Sequence, residues 1–296
     1  MNPNFSKVIL GTAQLGMPYG LGAWKTEMMP EATAFSILDV AWDLGLTTLD
    51  TSSNYGVAEE RIAKFMRLNP SKSFNVISKV KSQNTDTRQE VSFFESWLKK
   101  SPLFDVGSLS ILLHNENDIR SEVVVDSMER YQSRGVFASW GVSLYSAELA
   151  ALAAEIQQCQ IIQLPFGILN QSFHTDGILD ILCQHNKIIH ARSVFTQGLL
   201  FANELNSHGT SNEVLETIKV LSDLANRKRL TLTQCAMSFV LSFDEINSIV
   251  IGVDTPQQLN EIIGCVESPD KEFVSGILSD HIEGLAPDDV RPERWK

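Results

Sequence analysis

The feature that most constrains this chain is a strand-then-helix alternation that recurs from one end to the other. Short apolar, β-branched runs predict strands over Lys7–Leu10, Thr47–Asp50, Phe74–Val80, Leu109–Leu113, Ala138–Val142, Ile161–Leu164, Lys187–Ala191 and Ser248–Gly252. Between and after them, apolar residues at helical spacing predict helices over Glu31–Leu44, Glu59–Leu68, Arg88–Lys99, Ser121–Arg134, Ala147–Gln157, Gly177–Gln184, Asn212–Asn226, Thr233–Leu241 and Pro256–Gly264. Pro30 precedes the first of these, and Gly45 and Gly135 stop two of them. The strands read as continuous apolar runs rather than as alternation, which marks parallel strands buried on both faces. Strand–helix units in series imply a parallel sheet, and eight of them imply closure into a (β/α)8 TIM barrel. The rival, an open doubly wound sheet, is weakened because no GxGxxG follows the first strand. A chain of 296 residues suits one such barrel, so residues 1–296 are read as a single domain. The tail from Pro287, PDDVRPERWK, is polar and expected at the surface.

The net charge of −12 disfavours nucleic acid or an anionic membrane as main partner, since both require basic surface. The four cysteines, Cys159, Cys183, Cys235 and Cys265, are far apart and form no CxxC pair, so no metal site or redox dithiol is expected. They read as reduced, mostly buried thiols of a cytoplasmic protein. The start, MNPNFSKVILG, lacks the apolar run of a signal peptide, and no run of 18 apolar residues suggests a membrane span.

One stretch concentrates chemistry. Leu46–Glu60 reads LTTLDTSSNYGVAEE, with Asp50 closing a strand, a polar loop from Thr51 to Gly56 that contains Tyr55, and Glu59 and Glu60 opening a helix. Lys79 ends the third strand (VISKV) and His114 follows the fourth (ILLHNEND). In a parallel barrel these strand ends converge on one mouth, where chemistry takes place. Each residue alone has a structural reading: a turn cap, a loop aromatic, a satisfied core histidine. The coincidence of four is what argues for a site. A phenol's ordinary pKa of about 10 is too high for ready proton sharing at neutral pH. A nearby ammonium is expected to lower it, a carboxylate to hold the ammonium, and an imidazole to bond the reacting oxygen. No cysteine or serine stands ready to attack the carbon, so an external hydride donor is the expected partner.

These motifs, in this order, resemble the aldo-keto reductase superfamily. The resemblance runs from VILGTAQLG near the start to SIVIGVDTPQQLNEI near the end, with LDTSSNYG, VISKV and LLHNEND between. It implies a (β/α)8 barrel and NAD(P)H-dependent reduction of an aldehyde or ketone. Tyr55 would be the proton donor, Lys79 and Asp50 its tuning pair, and His114 the residue orienting the carbonyl. The cofactor would be NADPH, with NADH possible, and the partner a small carbonyl compound, without metal.

Cofactor contacts follow from the same resemblance. Gly11, Thr12 and Ala13 end the first strand. GVSLYS resembles the segment that holds the nicotinamide amide, with Ser143 matching and Leu144 standing where Asn is common. Gln163 in IIQLPFGILN would make the second amide contact, with Asn170 downstream. In HARSVFTQGLL, Arg192 takes the place of a stacking aromatic, and Ser193, Val194, Phe195, Gln197, Gly198 and Leu199 would line the pyrophosphate. At the last strand stand Gly252, Val253, Asp254 and Gln258, where NADPH binders of the family carry cations, and Ile262 replaces an adenine-contacting Asn. Asp254 either opposes a 2′-phosphate or caps the last helix. Substrate candidates are Gln14, Met17, Tyr19, Trp24, Asn54 and Asn115, a polar and aromatic set that suits a sugar-type carbonyl. GTAQLGMPYG also resembles reductases associated with bacterial surface-sugar synthesis.

Two other readings stay open. One is a lyase or aldolase barrel using Lys79 as a Schiff base, which a paired Asp50 would disfavour. The other is a non-catalytic nicotinamide-nucleotide-binding protein of the same fold, suggested by Leu144, Gln258 and Ile262.

Overall fold

In the computed structural model, eight parallel strands close in sequence order into a barrel. The model describes residues 6–81, 95–103, 108–201, 211–267, 269–270, 274 and 285. The strands are β1 Val8–Gly11, β2 Thr48–Ser52, β3 Asn75–Val80, β4 Leu109–Leu113, β5 Ser139–Ser143, β6 Cys159–Pro165, β7 Ile188–Arg192 and β8 Ser248–Ile251. Helices Glu31–Asp43, Ala58–Leu68, Glu122–Ser133, Ala147–Glu155, Ile178–Gln184, Asn212–Lys228, Leu232–Leu241 and Pro256–Glu267 match expected elements to within a few residues at their ends. Residues 95–100 are helical, while Val91 and the rest of the expected helix before residue 95 lie outside the described residues, as does the tail from Pro287.

The strands are buried along almost their whole length, as the continuous apolar runs imply. Two environments flank them. Ile9, Ile77, Leu112, Ile161 and Val250 form a small cluster of their own, filling the barrel interior. A larger cluster joins the outward strand residues to the helix layer. Since side chains alternate along a strand, residues two beyond an interior position also point inward. Lys79 thus follows Ile77, His114 follows Leu112, and Gln163 follows Ile161. Cross-strand register agrees, pairing Ser52 with Lys79, Lys79 with Leu112, and Ser143 with Gln163.

Two expectations change and one is extended. Strand β2 runs on through Thr51 and Ser52, which the sequence pattern puts in a loop. Both are buried and paired with Ser78 and Lys79, because the neighbouring strand supplies ladder partners that small polar residues accept. Glu59 opens the helix Ala58–Leu68 as expected and is also tied inward. It is buried, accepts hydrogen bonds from Ser78 Oγ and Trp97 Nε1, and burial raises its pKa. Among the thiols, Cys159 and Cys235 are buried, but Cys183 is exposed and Cys265 half-buried. No helix among the described residues is long and apolar enough to cross a membrane.

Candidate active site

At the carboxyl ends of the strands, Asp50 and Lys79 form an ion pair inside the barrel, 3% and 1% exposed. Lys79 Nζ donates to Asp50 Oδ1 and, at 3.4 Å, to the carbonyl of Thr51. The other carboxylate oxygen accepts from Gln163 Nε2 at 2.8 Å. Thr12 fixes the backbone here, its N–H and hydroxyl both bonding the Asp50 carbonyl at 2.9 Å. Burial pulls Lys79 below the ordinary lysine pKa, and the Asp50 charge pulls it back up. The chain of donors continues across the barrel. Arg192 Nε donates to Ser143 Oγ (3.3 Å), Ser143 Oγ to Gln163 Oε1 (3.5 Å), and Gln163 to Asp50, so the strand ends of β7, β5, β6 and β2 are linked.

Tyr55 stands half-buried in the turn after β2, its ring 5.3 Å from Lys79 Nζ. Its amide donates to the Ser52 carbonyl at 3.0 Å, and its own carbonyl accepts from Ala58 N, so the turn leads directly into the next helix. Close backbone contact holds it from behind. A Cβ on Gly16 would strike the Tyr55 carbonyl and Ala58 N, and one on Gly56, at φ +54, would strike the Gly16 carbonyl. Arg61, itself buried, ties this layer down through the carbonyls of Leu15 and Met29. The expected lowering of the phenol pKa is not what the free protein shows. Burial raises it above the ordinary value and Asp50 raises it further, while Arg192 lowers it.

His114 meets the Tyr55 ring edge-on, centroids 6.2 Å apart. Its Nδ1 lies 3.1 Å from Ser52 Oγ. Burial, with Lys79, Arg192 and Lys81 nearby, pushes its pKa down to about 3, so the imidazole is neutral at physiological pH. A second histidine, His190 on β7, is fully buried in the barrel and likewise pushed down to about 3, first by burial and then by Lys79.

A cavity of about 900 Å³ opens over these groups, within the range of small-molecule sites. Asp50, Tyr55, Lys79 and His114 line it together. So do Gly11, Thr12, Ala13, Gln14, Tyr19, Ser143, Asn170, Arg192, Ser193, Val194, Phe195, Gln197, Gly198, Gly252, Val253, Asp254, Gln258 and Ile262. The loop after β7 takes left-handed backbone at Ser193, Thr196, Gln197 and Gly198, which turns it around the cavity edge. Gly20, Leu21, Gly22, Lys81, Tyr145, Thr196, Phe201, Thr233 and Glu261 join the wall without having been singled out from sequence. Arg192 and Tyr145 form one unit: the guanidinium, which the family resemblance assigns to a nicotinamide, lies with one face over the Tyr145 ring at 4.2 Å. The stretch GVSLYS showed an aromatic beside Ser143, and that was the available signal.

Several expected residues do other work. Gln163 is fully buried under Asp50 and off the cavity wall. Leu199 is core. Asn115 caps the turn that follows β4, accepting from Asn117 N and donating to Asp118 Oδ1 at 2.6 Å. Asn54 is exposed, and its amide donates to Ser52 Oγ at 3.2 Å. Trp24 and Met17 are not on the wall either. Trp24 Nε1 donates to the Asp254 carbonyl at 3.1 Å. The loop after β1 crosses to the far loops, where Leu21 N bonds the Gln197 carbonyl (2.9 Å) and Ala23 N bonds Asp254 Oδ2 (3.0 Å). Asp254 is therefore a strut of this loop. The last helix is capped by Thr255, whose hydroxyl accepts from Gln258 N at 3.2 Å.

A nicotinamide dinucleotide fits the donors present: a cavity of suitable volume, the cluster of Asp50, Tyr55, Lys79 and His114 at one side, and polar loops at the other. The additional phosphate of NADPH is served less well. At the β8 side the described wall holds Asp254 and Glu261, while its cations, Lys79, Lys81 and Arg192, stand on or beside β3 and β7.

Residues 7–276 match the model of the aldo/keto reductase family. The chain belongs to that family. By family it is an NAD(P)H-dependent oxidoreductase. Among curated relatives, L-glyceraldehyde 3-phosphate reductase of Escherichia coli (strain K12) is 24% identical, over 76% of this chain and 76% of its own. D-threo-aldose 1-dehydrogenase of Pseudomonas sp is 22% identical, over 77% of this chain and 81% of its own. Among solved structures, the aldo-keto reductase AKR11C1 from Bacillus halodurans (holo form) superposes with a TM-score of 0.79 at 16% identity, covering 98% and 97% of the two chains. An aldo-keto reductase from Klebsiella pneumoniae in complex with NADPH superposes at 0.70 and 18% identity, covering 96% and 93%.

Proposed function

We propose that the protein reduces a hydroxylated, sugar-type aldehyde or ketone to the alcohol, using NADPH and accepting NADH. The observation that supports this most is the meeting of Tyr55, Lys79, Asp50 and His114 at one wall of the cavity. The sugar class draws on the relatives, whose names specify a three-carbon aldose phosphate and aldoses. It also draws on Gln14, Tyr19, Asn170 and Lys81, which line the cavity and can bond hydroxyls.

The reduced nicotinamide, when held in the cavity, would supply the hydride for the carbonyl carbon. Tyr55 gives its proton to the carbonyl oxygen as negative charge develops there. A raised phenol pKa keeps that proton in place until the substrate oxygen becomes the stronger base. Arg192 offsets the phenolate charge left behind, and Asp50 keeps Lys79 in position beside the Tyr55 ring. His114, neutral, donates a hydrogen bond to the same oxygen and orients it. Ser193–Gly198 and Gly252–Gln258 would hold the dinucleotide, with Arg192 bearing on its nicotinamide end.

The Schiff-base reading loses ground, because the Asp50 carboxylate bonded to Lys79 favours its charged form, against the burial that lowers its pKa. The direct test is a fluorescence titration with NADPH and NADH, then a panel of aldoses, phosphorylated aldoses and simple aldehydes. Tyr55→Phe should bind cofactor as the wild type does and lose turnover by about 10²–10⁴-fold, the usual worth of a positioned general acid. Equal turnover would remove Tyr55 from its role. Tight cofactor binding with no turnover anywhere in the panel would favour the non-catalytic reading.

A further inference from the structure

His114 can bond a substrate oxygen as donor only if its proton sits on Nε2. The imidazole is neutral, so one ring nitrogen carries hydrogen and the other does not. The partner on the far side decides which. That partner is Ser52 Oγ, 3.1 Å from Nδ1.

A serine hydroxyl has one proton to give, and Ser52 has two acceptors within reach, His114 Nδ1 and the Lys79 carbonyl at 3.1 Å. The Lys79 carbonyl already receives two donors from the adjacent residue, Ser53 N at 3.1 Å and Ser53 Oγ at 3.2 Å. Its two lone pairs are thus served without Ser52. Ser52 Oγ in turn accepts the Asn54 amide at 3.2 Å. With Asn54 feeding the oxygen and Ser53 filling the carbonyl, the Ser52 proton has one acceptor left.

We propose that Ser52 is a positioning residue: by donating to Nδ1 it holds His114 in the Nε2–H tautomer, with that N–H left for the cavity and a carbonyl oxygen. Ser52 is 1% exposed and lies on β2 two residues after Asp50, so the strand that supplies the carboxylate also sets the imidazole. The significance for turnover rests on the role given to His114 above. The tautomer itself does not.

Two-bond hydrogen–nitrogen NMR spectra of nitrogen-15-labelled protein report which ring nitrogen bears the proton. The His114 signals are assigned by their loss in His114→Gln. The wild-type protein should show Nε2–H. Ser52→Ala should give a mixture of tautomers, with unchanged cofactor affinity and a fall in kcat of about fivefold. Ser52→Thr, which keeps the hydroxyl, should retain the wild-type tautomer. An Nδ1–H tautomer in the wild type, or an unchanged tautomer in Ser52→Ala, overturns the proposal. The wild-type spectrum decides the first point even if a variant does not fold. A tautomer that shifts while kcat holds upholds the assignment to Ser52 and instead removes His114 from the proposed chemistry.

Discussion

Replacing Asp50 by Asn tests the electrostatic centre of the site without reference to any substrate. The change keeps the shape and leaves an oxygen to accept from Gln163, but removes the charge opposite Lys79. Lys79 is 1% exposed, so its ammonium is left in the barrel without a counter-charge. Breaking a buried pair in this way costs about 3–5 kcal/mol. At about 2.1 cal/mol/K per residue, a chain of this length has an unfolding entropy of about 620 cal/mol/K, so each kcal/mol moves Tm by about 1.6 °C. Asp50→Asn should therefore lower Tm by about 5–8 °C. Lys79→Met should cost a similar amount, because it strands the carboxylate. The double variant should recover most of the loss, since a buried pair replaced by uncharged groups of similar volume is often neutral. Scanning calorimetry on the four proteins gives the cycle, with circular dichroism confirming that each is folded. If the two single losses simply add in the double variant, the pair is not coupled. The assignment of Lys79 as a charge held by Asp50 then fails.

Three further outcomes follow from the same geometry. His190 has a folded pKa near 3 and an ordinary unfolded value near 6.5, so below 6.5 the unfolded chain takes up a proton that the folded barrel refuses. Stability is thus full above that value and falls as pH drops toward 3. Between pH 6.5 and 5 this amounts to about 1.6 kcal/mol for His190 and as much again for His114, whose folded pKa is also about 3, and a flat guanidinium midpoint over that window would contradict it. Gly16→Ala places a methyl against the Tyr55 carbonyl and Ala58 N, both backbone atoms that cannot swing away. It should cost about 1–3 kcal/mol of stability and lower kcat more than cofactor affinity, measured by denaturation and steady-state kinetics. Asp254→Ala removes a carboxylate from the β8 side of the cavity. It should tighten NADPH relative to NADH by about fivefold in paired titrations, on the order of 1 kcal/mol of relieved repulsion. An unchanged ratio would mean that the 2′-phosphate lies elsewhere.

What the sequence made legible, and what it did not, divides along a physical line. Asp50, Lys79 and His114 stood out because a charged or polar residue at the end of an apolar run must be accounted for, and the barrel brings all such ends together. The eight-strand closure was legible for the same reason: continuous apolar runs have no other way to bury both faces. Trp24, Asn54 and Asn115 lie off the cavity wall, and sequence could not show that because a loop aromatic or amide reads alike whether it faces a substrate or braces a turn. Their actual partners are set by tertiary contact, as with Trp24 and Asp254, 230 residues apart. Ser52 and Gln163 show a different kind of gap between sequence and structure. Ser52 was assigned to a loop and Gln163 to the cofactor, yet both obey the period of two that marks the barrel interior. Each follows an inward residue, Asp50 or Ile161, by two positions. Extending that parity one step past each strand end assigns Ser52 and His114 to the same layer, and their bond is what the structure then shows. In a barrel, then, the residue two places beyond a catalytic strand position is the first place to look for the group that orients its neighbour.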